Sequence, residues 1–372
     1  MKTNFRNLTL ILLVPALVLG IFTVYHSNPI SKILFEIFFI LIPTLYIFFN
    51  RVRLPSYIFY YILFLMFCFA RFAISVIYNF EFFLDYLLII RSQINIFLII
   101  IIISMSHSST KYYDYLLNFL VLCFIVAYIS EVVFANNYRP RLVTENNFEA
   151  PFLVFYLIYS VETRLRLFLS SLAIISVLIS RSLSTFLGLC AALGLKYIRN
   201  VLTLKVLPIA AILLVITAAL PLFLYRLEKE FMSIDRVVLF MEFLEVHFSR
   251  SLLEIVLPIG IFEPLPLQTC SKFTYYPGLF ADFENRICFS VLLHGYVPRI
   301  IYDFGILGFC YVFYTVFKVI RWAGFSFIGA LSLEAVIFVN GLSVSGLNNV
   351  ILCTFLSLIL SARKSYLLSK AP

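Results

Sequence analysis

The chain has 372 residues, 63% of them hydrophobic and 13% charged, with 28 Lys and Arg against 19 Asp and Glu. Soluble domains run at about 45–50% apolar and about 25% charged residues, and a mean hydropathy of +1.03 leaves too little polar material to build a wetted surface. A water-soluble enzyme and a disordered chain are both excluded, and an all-α polytopic membrane protein remains. The net charge of +9 is no signal for nucleic acid, because the basic residues are scattered between apolar runs instead of lining one face.

A helix needs about 20 mostly apolar residues to cross a bilayer. Such runs predict spans near 8–24, 30–49, 57–79, 86–104, 115–134, 150–162, 166–180, 184–197, 202–224, 299–317, 324–340 and 346–361. The first follows Lys2 and Arg6, as a signal peptide would, but lacks a clear small-residue cleavage site and is read as an anchor. Twelve spans put both termini on one side, and the positive-inside rule makes that side cytoplasmic. Inner segments then hold fifteen Lys and Arg, against four in the short outer loops: Lys32, Arg139, Arg141 and Arg181. The narrow break Arg181–Ser184 is needed for this count, since removing it would invert everything downstream. The chain thus divides into nine spans over 1–224, a large outer loop over 225–298, and three spans with a cytoplasmic tail over 299–372.

The large loop opens polar, and Val237, Phe240, Met241, Leu244, Phe248, Leu252 and Ile255 then recur at helical spacing. This predicts one amphipathic helix within 231–256, lying on or near the membrane surface. Pro258, Pro264, Pro266, Pro277 and Gly278 predict irregular coil beyond it. Cys270 and Cys288 share the loop, and pair as a disulfide or stay separate thiols according to the compartment. The other five cysteines lie in apolar runs as small packing residues.

A charge at mid-bilayer costs about 2.5–3.5 kcal/mol on insertion scales, so charges within spans need a reason. Glu36, Arg71, Arg91 and Asp303 all sit toward the outer ends of their spans, Glu131 and Glu149 flank an outer loop, and Glu334 lies deepest. Singly, Arg71 and Arg91 read as snorkelling or as partners of Glu81 and Asp85; together these residues predict an outward-facing polar cavity. Arg139, Arg141, Arg181, Arg236, Arg286 and Arg299 bring guanidinium groups to the same level, where their planar forks match phosphate oxygens. Taken singly, Arg226, Arg250 and Arg286 read as solvated. His294, immediately before the span at 299–317, is either structural or the side chain suited to proton transfer near neutrality.

Certain short stretches add a resemblance. Leu178-Ile179-Ser180-Arg181-Ser182, Asp235-Arg236-Val237 with Leu257-Pro258-Ile259-Gly260, and Leu293-His294-Gly295-Tyr296 with Tyr302-Asp303-Phe304-Gly305-Ile306-Leu307-Gly308 fall in an order that resembles the O-antigen polymerase and ligase superfamily, in particular its Wzy-type polysaccharide polymerases. Thr144-Glu145-Asn146-Asn147-Phe148-Glu149-Ala150 resembles an Asn-rich outer loop of such proteins. The likeness covers roughly 140–310, and the first five spans fit by topology alone. Gly295 stands where Asn or Ser commonly follows the histidine, and Asp303 where Glu is common.

The resemblance implies a GT-C-like membrane fold in the bacterial inner membrane, with the active site facing the periplasm. It implies a glycosyltransferase of lipopolysaccharide biosynthesis acting on undecaprenyl-diphosphate-linked oligosaccharide, with a separate chain-length regulator as a membrane partner. Arg181 and Arg236 are then expected to stabilise the departing diphosphate, helped by Arg141 and Arg299, with Arg71 and Arg91 on the substrate. His294 is expected to deprotonate the acceptor hydroxyl, oriented by Asp303 or Glu149. No cofactor is expected, and no His, Cys or carboxylate spacing suggests a metal. An O-antigen ligase transferring glycan to lipid A–core, and a lipid-linked oligosaccharide flippase, are the alternatives.

Overall fold

The structure, a computed structural model, describes residues 29–49, 54–105, 110–134, 146–163, 167–180, 182–201, 235–258 and 261–370. The expected spans 8–24 and 202–224, together with Arg139, Arg141, Arg181 and Arg226 and the side chain of Arg236, lie outside them. The described chain is mainly helical: α1 (Pro29–Phe49), α2 (Ile58–Tyr78), α3 (Phe83–Ser104), α4 (Thr110–Phe134), α5 (Pro151–Thr163), α6 (Leu167–Ser180), α7 (Leu183–Val201), α8 (Asp235–Ser249), α9 (Leu252–Val256), α10 (Leu267–Lys272), α11 (Tyr296–Trp322), α12 (Phe327–Ser343) and α13 (Val350–Leu368). Ten of the expected spans fall on helices. Among the described residues five helices, at Ile58–Tyr78, Phe80–Ser104, Tyr112–Val133, Tyr296–Trp322 and Val350–Leu368, are long and apolar enough to cross a membrane. The protein is built as an all-α, multi-pass membrane protein.

Burial separates central from peripheral helices. α13 is enclosed almost throughout, packing against α1, α3, α4 and α5. Two of its hydroxyls bond back to their own helix, Thr354 Oγ1 to the Val350 carbonyl and Ser357 Oγ to that of Thr354, while the buried hydroxyls of Ser361 and Ser365 have no hydrogen-bond partner. α2 instead exposes Phe59, Tyr60, Met66 and Ile77, a surface suited to lipid tails. At the end of the bundle away from the loop, Arg363 clamps three elements. It donates to the Gly324 carbonyl at 3.0 Å and the Glu162 carbonyl at 3.1 Å, and pairs with Glu162 Oε2 at 3.1 Å. Ser326, the N-cap of α12, also bonds to Glu162.

The loop differs from its sequence expectation in three ways. The single amphipathic helix is two helices, because Ser251 caps α9 with its side chain and Glu254 closes the capping box. The apolar stripe is also rotated. Leu239, Phe243 and Val246 are buried in a small core with Cys270, Phe273, Leu292 and Tyr302, while Met241, Phe248 and Leu252 are exposed. The expected coil contains a short antiparallel hairpin, Phe280–Asp282 with Ile287–Cys288. A Cys270–Cys288 disulfide crosses this core. The buried Glu242 carboxylate accepts from Thr269 Oγ1 at 2.9 Å and Lys272 Nζ at 2.8 Å, and the Glu242 hydrogen bond holds the Lys272 ammonium above its ordinary pKa. His247, stacked on Phe243, is pushed below its usual value by burial and then by Arg250.

Gly305 joins the loop to the bundle. It interrupts α11 with φ 65°, ψ 176°, backbone that essentially only glycine adopts. A Cβ there would stand 2.7 Å from the Val256 carbonyl oxygen, so the end of α9 packs directly on the break. Arg250, expected in solvent, caps the same region: its Nη1 donates to the Tyr302 carbonyl at 2.7 Å and its guanidinium stacks on the Tyr302 ring.

Candidate functional site

Helix ends from distant parts of the chain enclose a cavity of about 520 Å³ on the loop side of the bundle. Glu36 of α1, Leu88 and Arg91 of α3, Arg299 of α11, His294, Phe148, and the turn residues Ser343, Val344, Ser345, Asn348 and Asn349 all line it. Leu88 and Arg91 share a helix face through their three-residue spacing. Arg91 Nη2 pairs with Glu36 Oε1 at 3.1 Å, and both side chains are about one-third exposed. Arg91 therefore pairs with α1, and not with Glu81 or Asp85 as the sequence suggested. Arg299 is 6% exposed and donates from Nη2 to the Leu88 carbonyl at 3.0 Å, while its Nε has no hydrogen-bond partner. Arg91 and Arg299 are near enough to repel one another electrostatically. Each guanidinium also has a carboxylate acting on it, Glu36 pairing with Arg91 and Asp303 attracting Arg299 from one turn further along α11.

His294 is held in an unusual backbone state. Its φ of 55° and ψ of −42° lie outside the ordinary regions, in a tight turn where the Gly295 amide donates to the Leu293 carbonyl. Such turns with positive φ are strained, and strain of this kind collects at functional sites. Packing maintains it: the Tyr296 amide donates to the Val344 carbonyl at 2.9 Å, and the His294 ring meets Tyr276 edge-on at 5.7 Å. The neighbouring residue is a glycine for a visible reason. A Cβ at that position would lie 2.9 Å from the Leu342 carbonyl oxygen, so Asn or Ser does not fit here.

Of the residues singled out from the sequence, the structure brings Glu36, Arg91, His294 and Arg299 to one cavity. Arg71, on α2, does not line it, and Glu149 is buried beside Tyr128 and Glu131, although its neighbour Phe148 does reach the cavity. Asp303 is not the residue that orients His294. It is buried, its Oδ2 accepts from Ser290 Oγ at 2.7 Å, and its Oδ1 has no hydrogen-bond partner. The Asn-rich segment and the Ser-Arg segment do meet: Ser182 Oγ donates to Asn147 Oδ1 at 2.9 Å, and Asn340 Nδ2 donates to the Asn147 carbonyl at 2.7 Å.

Sequence reasoning passed over the α12–α13 turn. The last expected span began at 346, yet α13 starts at Val350, and within Ser343-Val344-Ser345-Gly346-Leu347-Asn348-Asn349 all but Gly346 and Leu347 line the cavity. The signal was a run of four neutral polar residues within seven, which a search for charges does not weigh. Asn95 of α3 holds the turn by donating to the Leu347 carbonyl at 2.8 Å. Compared with known proteins, the chain matches no family model, no curated protein and no solved structure.

Proposed function

We propose that this protein is a Wzy-type polysaccharide polymerase, a glycosyltransferase that joins undecaprenyl-diphosphate-linked repeat units at the periplasmic face of a bacterial inner membrane. The observation that carries the reading is the convergence of Arg91, Arg299 and His294 on one cavity. Arginines suit a diphosphate, and a histidine suits a hydroxyl proton. In the step envisaged, the acceptor hydroxyl oxygen bonds to the anomeric carbon of the donor glycan. The bond from that carbon to the diphosphate oxygen breaks, its electron pair leaves with the diphosphate, and the hydroxyl proton passes to His294. Arg91 and Arg299, fixed before the reaction, stabilise the growing charge on the leaving group without a metal. Arg181 and Arg236 join them on the strength of the family resemblance, with Arg141 as a further helper.

The Cys270–Cys288 disulfide supports an oxidising compartment for the loop, and the positive-inside bias supports the same side. A GT-C-like bundle of twelve spans is part of this reading. The test is a deletion strain complemented with Arg91→Ala, Arg299→Ala or His294→Ala, with membrane levels checked by immunoblot and surface glycan resolved by length. Wild type restores long chains and each variant leaves core carrying one repeat unit. Long chains from all three variants would overturn the site. Bare core in the deletion strain would indicate a ligase, and substrate trapped on the cytoplasmic leaflet a flippase.

A further inference from the structure

We propose that the α12–α13 turn is a sugar-reading shelf within this cavity, with Asn348 accepting a hydrogen bond from the glycan attached to the diphosphate. The inference rests on the glycosyl-transfer reading above and adds to it the residue that distinguishes a glycosylated carrier from a bare one. Two polar atoms of the cavity-lining residues lack partners, and they are of opposite kinds. Arg299 Nε is a donor, and Asn348 Oδ1 is an acceptor on a side chain 8% exposed. An ionised phosphate offers only acceptors, so it satisfies the first and not the second. The Asn348 acceptor needs an O–H or N–H, which a sugar supplies. Both atoms are covered by protein as they stand, and because the final torsion of an asparagine is broad, the Asn348 carboxamide turns into the cavity to meet a bound hydroxyl at little cost.

The turn is also poorly equipped for an anion. The N-terminus of α13 would ordinarily attract one, but Asn349 Oδ1 already accepts from the Ile351 and Leu352 amides, at 2.9 and 3.3 Å. What the turn presents is neutral: the side chains of Ser343, Ser345, Asn348 and Asn349. The cavity thereby combines the Arg91 and Arg299 guanidinium groups, the first paired with Glu36, with neutral hydrogen-bonding groups from the turn, the division a sugar diphosphate requires. A site that hydrogen-bonds a hydroxyl discriminates strongly against the analogue lacking it, because its own polar groups are left unpaired.

The experiment uses the full-length protein in lipid nanodiscs with two probes, undecaprenyl diphosphate and undecaprenyl diphosphate carrying one N-acetylhexosamine. Wild type is expected to bind the glycosylated probe more tightly. Asn348→Ala should weaken that probe about tenfold and leave the bare probe unchanged, which also shows the variant is folded. Arg91→Ala should weaken both. Equal wild-type affinity for the two probes, or an Asn348→Ala loss that is absent or equal for both, overturns the shelf while leaving the diphosphate site standing. Wild type binding neither probe overturns the underlying reading as well.

Discussion

Arg250 is the most informative residue to perturb, because one side chain ties the loop to the helix that carries Arg299. Its guanidinium donates to the Tyr302 carbonyl at 2.7 Å, lies 3.7 Å from the Tyr302 ring centroid, and stands 3.7 Å from Glu263 Oε2. A hydrogen bond from a charged donor contributes about 1.5–3 kcal/mol, and a desolvated cation–π contact about 2 kcal/mol. Glu263 is half-exposed, so that pair contributes about 0–1 kcal/mol. These contributions share one group and do not add fully. Arg250→Met, which keeps most of the stem, should therefore cost about 3 kcal/mol, or roughly a hundredfold in the local opening equilibrium. Native-state proteolysis by proteinase K at low protease concentration reads that equilibrium when reclosing outpaces cleavage. Cleavage near 250–265 should accelerate about a hundredfold in Arg250→Met, with Arg250→Lys intermediate because it keeps the charge and loses the fork. A change within about twofold for Arg250→Met, or wild-type behaviour of Arg250→Lys, would refute the reasoning.

Two further outcomes concern the same loop. The Cys270–Cys288 disulfide closes a segment of sequence separation 18, so the Cys270→Ser/Cys288→Ser variant should lose about 3 kcal/mol of loop stability, read as earlier loop proteolysis in urea; an unchanged midpoint would refute this. His247 has its pKa lowered by burial, so as pH falls below about 6.5 the opened loop takes up a proton that the folded loop resists. Loop stability should fall between pH 7 and pH 5, and His247→Phe, which preserves the stacking on Phe243, should flatten that dependence when loop proteolysis is followed against temperature at each pH; an unchanged pH dependence would refute this.

Much of the bundle was legible because membrane burial enforces long apolar runs, and ten of those runs fall on helices. Most of the misreadings share one physical origin: contacts distant in sequence. Arg91 has acidic neighbours nearby in its own segment but pairs with Glu36, 55 residues earlier. Arg250 looked solvated because nothing local shows that the break at Gly305 places the Tyr302 carbonyl within its reach. Glu162 and Arg363 are 201 residues apart, and neither position alone implies the clamp. The break between α8 and α9 was a different case. Ser251 and Glu254 spell a capping box in the sequence, and the continuous apolar period concealed it. In the candidate site, the charged residues stood out because charge in a span is expensive, whereas Asn348 is neutral and carries no such flag.

The mixed surface of the loop bears on how the protein can be handled. Its helices leave Phe248, Leu252 and Leu253 uncovered, and its small core is completed by Tyr302 from α11. Cut free of the bundle, the segment would lose that tyrosine and the carbonyl that Arg250 grips, and would present its leucines to water. It is not an excisable domain: an isolated fragment would aggregate, and antibodies raised against it would recognise faces that the intact molecule keeps hidden.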